Sequence, residues 1–455
     1  MTGRSRLVCA GCGGIPEPDD PYPFLCPNAG TGDVDHVLRR ELDLTGVTFP
    51  QGRDEANPFV RYRYLLHAHD LGLRDDEFVD VVRALDREVA RVDGHGFVET
   101  PFARSEELSD RLGFSARGGV WVKDETGNVS GSHKARHLFG VLVWLEVAER
   151  LGLTHDRPDL AIASCGNAAL AAAVVAAAGG RTLQVFVPPD ADAAVLARLE
   201  ALGAQVEVCT RRPGVAGDPT YHRLLEAVTG GALPFTCQGN LNGLAVEGGE
   251  TLGWELASSG VALDRLVIQV GGGALASACI GGLREAAQLG AVAASPKIDT
   301  VQTEGAWPLK RAFDAVAAHP GGLRYAARHR SEFMWPWEHE PHSVAHGILD
   351  DETYDWLAVV EGMLATGGRP VVVGEDALRA ANDAARETTG IDVDHTGSAG
   401  LAGLQALRDA GEVGDDEKVA LLFTGVVRTH ADTERKTDEE LSRPRHPVAE
   451  GLRAR

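Results

Sequence analysis

One lysine stands apart in the run KDETGNVSGSHKARH, residues 123–137. Small and polar residues lead up to Lys134. The pattern predicts a strand over 120–123 before the loop and a helix over 133–151 after it. A helix start disfavours a cation, because the peptide dipoles already place positive charge there. A neutral amine is therefore less costly at this position, and a neutral amine is what forms an imine with a carbonyl. Lys134 is a candidate Schiff-base lysine; a capping-loop lysine that merely faces water is the plainer alternative. A second loop, LVIQVGGGAL at 266–275, runs from a strand through Gly271, Gly272 and Gly273 into a helix opened by Ala274 and Leu275. Backbone N–H groups can converge on a phosphate in such a turn. The run lacks the lysine of a Walker loop and the spacing of a dinucleotide fingerprint. Three consecutive glycines cost backbone entropy, which counts against a mere tight turn. A third strand-to-helix turn, AIASCGNA at 161–168, presents Ser164, Cys165, Gly166, Asn167 and Ala168. Asn167 can cap the helix or reach a ligand. No nucleophile elbow surrounds Ser164.

These loops need elements to hold them. Apolar runs predict strands at 160–163, 182–187, 205–209, 265–270 and 297–303. Helical periods fall between them, at 167–178, 191–202, 219–228, 247–256 and 274–289. Such alternation means parallel strands with crossover helices, an α/β architecture of two open sheets with a cleft between them. Upstream, Phe59, Leu65, Leu66, Phe78, Val81, Val82, Leu85 and Val89 recur at helical spacing and predict helix over 57–92. Residues 1–35, rich in Gly, Pro and Asp, read as a loop-like arm, and 430–455 as a mobile charged tail.

The length of 455 residues implies two or three domains. A hydrophobic fraction of 44% and a charged fraction of 24% are those of an ordinary globular chain. Lys+Arg is 44 against Asp+Glu 66, a net charge of −22, which excludes a phosphate-backbone or anionic-membrane partner. A small anion can still be held by helix ends. No apolar run is long enough to span a membrane and no apolar leader is present, so a cytoplasmic protein is expected. Seven cysteines are too few for a disulfide scaffold. Cys165, Cys209, Cys237 and Cys279 are expected as buried, inert thiols.

Taken in chain order, four segments resemble the fold type II family of pyridoxal-phosphate enzymes: SGSHK ending at Lys134, SCGN at 164–167, GGGAL at 271–275 and LFTG at 422–425. Within that family the chain looks most like the threonine synthase and threonine dehydratase branch. RYR at 61–63, Thr100 with Pro101, EGGET at 247–251 and HTGSAGL at 395–401 extend the likeness, which covers roughly 57–428. The resemblance implies two open-sheet α/β domains with an N-terminal extension, bound pyridoxal 5'-phosphate, a small amino-acid substrate, and compatibility with a homodimer. Residue by residue, it implies that Lys134 holds the cofactor as a Schiff base and then acts as base at the α-carbon. Gly271, Gly272, Gly273, Ala274 and Leu275 would hold its phosphate, and Asn167 its ring hydroxyl. Ser164, Cys165, Gly166, Asn167 and Ala168 would bind the substrate carboxylate. Thr424 would face the pyridine nitrogen, where a neutral hydroxyl favours elimination or replacement at the side chain over transamination.

The implied function is a lyase acting on a small hydroxy- or O-phospho-amino acid, threonine synthase-like. The alternative is a threonine or serine ammonia-lyase, and a reading of a different class is a catalytically inactive binding or regulatory protein. Threonine synthases usually read Lys-Asp-Arg at the lysine, whereas this chain reads KAR at 134–136. Cys9, Cys12 and Cys26 resemble a decayed zinc ribbon. Three soft ligands make an incomplete site, and His36, on what reads as a helical stretch, is taken as structural. No metal is therefore expected, zinc at the three cysteines being the alternative. The expected division is an arm over 1–56, a larger cofactor unit from 57–127 and 241–428, a smaller mobile unit over 128–240, and a tail over 429–455.

Overall fold

The computed structural model describes residues 4–52, 54–211, 217–339 and 341–428; the tail expected over 429–455 lies outside them. Twelve strands among the described residues, β1 to β12 in chain order, form three sheets. They are β1 (Ser5–Cys9), β2 (Leu38–Leu42), β3 (Phe102–Ser105), β4 (Gly119–Asp124), β5 (Leu160–Ala163), β6 (Leu183–Val187), β7 (Gln205–Val208), β8 (Leu233–Pro234), β9 (Arg265–Gln269), β10 (Lys297–Thr303), β11 (Pro370–Val373) and β12 (Lys418–Phe423). The larger sheet has the order β11-β10-β9-β12-β4-β3, parallel except for the edge strand β3. The smaller has the order β7-β6-β5-β8, all parallel. The central strand β9, RLVIQ, is buried at every position, because helices cover both faces of a parallel sheet.

The helices explain how the loops are held. Helix Asn167–Ala178 (NAALAAAVVAAA) has no polar face and is buried over 169–176; its small side chains let neighbouring helices close on it. The lysine helix, Lys134–Arg150, approaches helix Ala245–Ser258 through glycines: a Cβ on Gly140 would stand 2.8 Å from Gly248 Cα. Among the described residues no helix is long and apolar enough to cross a membrane.

Two expectations change. The apolar face expected over 57–92 is present, and all eight residues named for it are buried. The helix itself is broken into Pro58–Arg61, His67–Asp70 and Asp75–Asp93. Leu66 is extended and Gly72 takes a left-handed φ of 123°, so the chain turns twice while keeping one apolar side. The arm is also not all loop. β1 pairs antiparallel with β2, Cys9 opposite Leu38. With positions 10–37 intervening, neither five-residue strand carries a local hairpin signal. Arg40 of β2 reaches into the larger unit, where it pairs with Glu247, Glu250 and Glu285.

Candidate active site

Lys134 is the first residue of its helix and is half-buried. The turn before it contains Ser130 at φ 57°, the only non-glycine residue with a positive φ among the described residues. Strain of this kind persists only when the surroundings hold it. Here Ser130 N–H donates to Asp93 Oδ2 (2.8 Å), and Arg428 Nη2 donates to Ser130 O (2.6 Å). The loop is then laced to the segment after β12. His133 N–H donates to Thr424 O (3.2 Å), Val426 N–H donates to Gly131 O (3.0 Å), and Ser132 bridges Gly425. Burial and the charge of Lys134 hold the His133 imidazole well below its ordinary range and pull His137 down to about 3, so both rings are neutral.

Beneath the lysine helix lies a closed set of four charges. Arg136 donates to Glu125 (2.8 and 2.9 Å) and to Glu255 (2.8 and 3.0 Å). Lys123 Nζ donates to Glu255 Oε2 (2.5 Å) and to Thr100 O (2.7 Å). All four side chains are buried. Burial alone would raise the Glu255 carboxyl; Arg136 and Lys123 outweigh it and hold the group below its usual range. The other lysine near the loop is thus fully engaged, and the helix start that carries Lys134 is clamped from below.

Thr424 follows β12. Gln269 Nε2, at the end of β9, donates to Thr424 Oγ1 (2.8 Å) and to the carbonyls of Gly397 (2.9 Å) and Leu422 (3.0 Å). Because Oγ1 accepts from Gln269, the hydroxyl proton is left for a further acceptor. Asn167 opens its helix against the same segment. Its Oδ1 accepts from Arg428 Nε (3.1 Å) and Nη2 (2.9 Å), and its Nδ2 donates to Asp394 Oδ2 (3.4 Å). Ser164, Cys165, Gly166 and Ala168 complete the turn and are all half-buried. Cys165 therefore differs from the buried thiol expected of it, being half-buried with the rest of the turn; Cys209, Cys237 and Cys279 are buried.

The glycine loop is covered by a segment that the sequence left unmarked. Thr353 Oγ1 donates to Gly271 O (2.9 Å) and Asp355 N–H donates to Gly272 O (3.0 Å). A Cβ on Gly272 would stand 2.9 Å from Tyr354 Cδ2, and one on Gly273, whose φ is 99°, would stand 3.0 Å from Thr353 Cγ2. Ala274 and Leu275 open the following helix and are buried. The Asp350 carboxyl lies against the loop, its Oδ2 where a Cβ on Gly271 would collide and 3.6 Å from one on Gly272. Burial pushes the carboxyl up to about 6 against the opposing pull of Lys134 and the Gly272 N–H.

The structure therefore brings the turn before Lys134 and the start of helix Asn167–Ala178 against the Thr424–Gly425 segment, with Asp350 set against the glycine loop. Sequence reasoning missed Gln269, Asp350, Asp394 and Arg428. Arg428 lies three residues beyond the LFTG segment and Asp394 directly precedes HTGSAGL, so both were within reach of the motifs; Asp350 carries no pattern. Cys9, Cys12 and Cys26 lie on the arm, with His36 beside them. His36 is not on a helix, as the sequence suggested, but in an irregular stretch before β2.

Pyridoxal phosphate fits these residues. Ser132 Oγ, His133 Nε2 and Gln269 Oε1 are buried polar atoms with no partner among the described residues, and they flank Lys134 and Thr424. Unpaired buried groups call for a polar ligand. On the glycine loop, a carboxylate oxygen of Asp350 already lies close against Gly271 and Gly272, where an anionic oxygen could sit.

Residues 95–425 match the family model described as pyridoxal-phosphate dependent enzyme. The chain is 27% identical over 329 residues to a threonine synthase of Methanosarcina acetivorans, covering 72% of this chain and 74% of that protein. Among solved structures, the processed form of threonine deaminase isoform 2 from Solanum lycopersicum superposes with a TM-score of 0.57 at 18% identity, covering 82% of this chain and 95% of that one. A fungal L-serine ammonia-lyase from Rhizomucor miehei does so with 0.55 at 19%, covering 75% and 98%. With a family match across most of its length, the chain belongs to the pyridoxal-phosphate dependent enzymes.

Proposed function

We propose that this enzyme is a lyase that eliminates or replaces the side-chain substituent of a small hydroxy- or O-phospho-amino acid, in the manner of a threonine synthase. The observation that carries this reading is the neutral Thr424 hydroxyl, buried and oriented by Gln269 Nε2 at 2.8 Å. Bound pyridoxal phosphate supplies an electron sink at the substrate α-carbon, and a neutral partner at the ring nitrogen keeps that sink moderate. The Lys134 amine moves the α-proton. The amides at the start of helix Asn167–Ala178 and the Ser164 hydroxyl receive the substrate carboxylate. Asn167, seated against Asp394 and Arg428, orients the ring hydroxyl. Residues 128–240 close on the remainder when the carboxylate binds, which excludes water from the reacting carbon. Likeness to the archaeal threonine synthase, 27% over 329 residues, supports the synthase form.

One observation favours the ammonia-lyase alternative. Ala135 is fully buried where threonine synthases usually carry aspartate, so no carboxylate follows the lysine. The holoenzyme, given O-phosphohomoserine, threonine and serine separately, decides between them by its products. Phosphate release with threonine formation supports the synthase form. A 2-oxo acid and ammonia from threonine or serine, without phosphohomoserine turnover, assigns the ammonia-lyase. Inertness towards all three would overturn both.

A further inference from the structure

The arm brings together four donors that the mechanism does not use. Cys9 Sγ, Cys12 Sγ, Cys26 Sγ and a ring nitrogen of His36 all lie within 4.8 Å of one another. Cys12 Sγ and Cys26 Sγ are 3.5 Å apart, and Cys9 Sγ is 3.7 Å from His36 Nδ1. A disulfide needs about 2.05 Å between sulfurs, so the pair is not one. A tetrahedral zinc with Zn–S near 2.3 Å and Zn–N near 2.0–2.1 Å separates its sulfurs by about 3.8 Å, and sulfur from nitrogen by about 3.5 Å. The Cys12–Cys26 and Cys9–His36 pairs stand within about 0.3 Å of those separations, and the remaining pairs lie within 4.8 Å.

The outer contacts have the same sense. Backbone N–H groups point at the sulfurs: Cys12 N–H at Cys9 Sγ (3.5 Å), Gly14 N–H at Cys12 Sγ (3.3 Å) and Asn28 N–H at Cys26 Sγ (3.4 Å). Asn28 Nδ2 donates to Cys12 Sγ as well (3.5 Å). Cys9 Sγ also lies 3.9 Å from Asp35 O, but N–H donors predominate around the three sulfurs, as suits metal-bound thiolates. His36 Nε2 lies 3.0 Å from Thr31 O, and a carbonyl can only accept, so Nε2 carries the proton and Nδ1 offers its lone pair to the sulfurs. At Gly14 a Cβ would meet Asn28 Nδ2 at 2.8 Å and the sulfurs of Cys12 and Cys26 at 3.2 and 3.3 Å, which leaves no room for a side chain.

We infer that Cys9, Cys12, Cys26 and His36 form a structural zinc site, with His36 Nδ1 as the fourth ligand. Three thiolates and an imidazole select zinc over hard cations. Four protein donors leave no open position, so the ion holds structure and does no chemistry. It ties together β1, the turn at 12–14, the loop at 26–31 and the approach to β2. That approach carries Asp35, which accepts from Trp356 Nε1 (3.1 Å), pairs with Arg330 (3.3 Å) and donates its N–H to Ala327 O (2.9 Å). The zinc thus fixes the segment by which the arm grips the larger unit.

The test uses the full chain, purified under reducing conditions without added metal. About one zinc per chain is expected, and exchange with Co(II) should give the visible spectrum of a tetrahedral cobalt thiolate. His36→Ala should weaken Co(II) binding by more than the 10–100-fold that follows loss of an outer partner, while Cys209→Ser, a thiol elsewhere, leaves it unchanged. Should His36→Ala fail to fold, chelation of the wild-type protein serves instead: the thermal midpoint falls and recovers when zinc is returned. The assignment is overturned by reduced wild-type protein that takes up neither zinc nor Co(II), by a Cys12–Cys26 disulfide in the native chain, by a midpoint indifferent to chelation, or by folded His36→Ala that binds Co(II) as tightly as wild type.

Discussion

If the glycine loop holds the cofactor phosphate, as the resemblance implies, Asp350 is the carboxyl set against it: its Oδ2 lies where a Cβ on Gly271 would stand. Burial sets it at about 6 against the pull of Lys134 and the Gly272 N–H, so it is an anion at pH 8 and largely neutral near pH 5. Two like charges at contact distance repel by more than about 1.4 kcal/mol even when well screened. Asp350→Asn should therefore tighten pyridoxal-phosphate binding about tenfold at pH 8, with little gain at pH 5. Titration of the apoprotein at the two pH values checks this; weaker binding by the variant would mean that Asp350 assists the phosphate. Asn167 plays a different part. Its side chain touches Arg428 and Asp394, not the glycine loop. Asn167→Ala should slow turnover while leaving most of the cofactor affinity, whereas Gly272→Val, which would collide with Tyr354, should abolish that affinity. Equal losses of affinity in both variants would refute this division of roles.

At the scale of elements, the clamp beneath the lysine helix fixes that helix against its neighbours. Arg136 and Lys123 neutralise Glu125 and Glu255, and removing one partner strands a buried charge. Arg136→Met should cost about 3–5 kcal/mol in denaturant unfolding; a loss below about 1 kcal/mol would show that the clamp is dispensable. Burial, outweighed by Arg136 and Lys123, leaves Glu255 with a lowered pKa, so its contribution is present above the unfolded value and fades as pH falls below about 4.5. The elements that hold the site were legible in the sequence to different degrees. The strand-to-helix turns at Lys134, Ser164 and Gly271 were plain, because apolar runs of four to six residues stop at glycine or polar residues where a helical period begins. The β1–β2 pair was not, because its pairing is non-local. Arg136 was read only as part of a motif, since one sequence cannot show that Glu125 and Glu255 lie around it. The segment over 348–355 was missed because it is irregular and its acidic residues resemble an ordinary exposed loop.

Across the whole molecule, several buried carboxyls hold protons more tightly than in the unfolded chain. Burial raises Asp35 to about 6, Glu247 and Asp355 to about 7, and Glu250 to about 8, against the opposing pull of neighbouring cations and N–H groups. A raised carboxyl stabilises the fold fully below its unfolded value and loses that contribution as pH rises through its folded value. The thermal midpoint should therefore fall between about pH 4.5 and 8, and Asp355→Asn should flatten part of the slope. A midpoint that climbs over that window would contradict the burial of these groups. The glycine loop's contacts named above come from Asp350, Thr353, Tyr354 and Asp355, none of them on the arm. Chelation should accordingly remove metal while pyridoxal phosphate stays bound; release of both together would make the arm part of the working site.

The central claim is that Lys134 is the lysine that binds pyridoxal phosphate. Lys123 is its nearest rival, and its ammonium is held by Glu255 and Thr100 O. Borohydride reduction of the holoenzyme, followed by digestion and peptide mass mapping, fixes the cofactor to the lysine that carries it. The expected result is one pyridoxyl-phosphate group on the peptide containing Lys134, and none on Lys134→Ala protein that remains folded. A label on Lys123 or any other lysine, or no label on holoenzyme that retains its cofactor, would contradict the account.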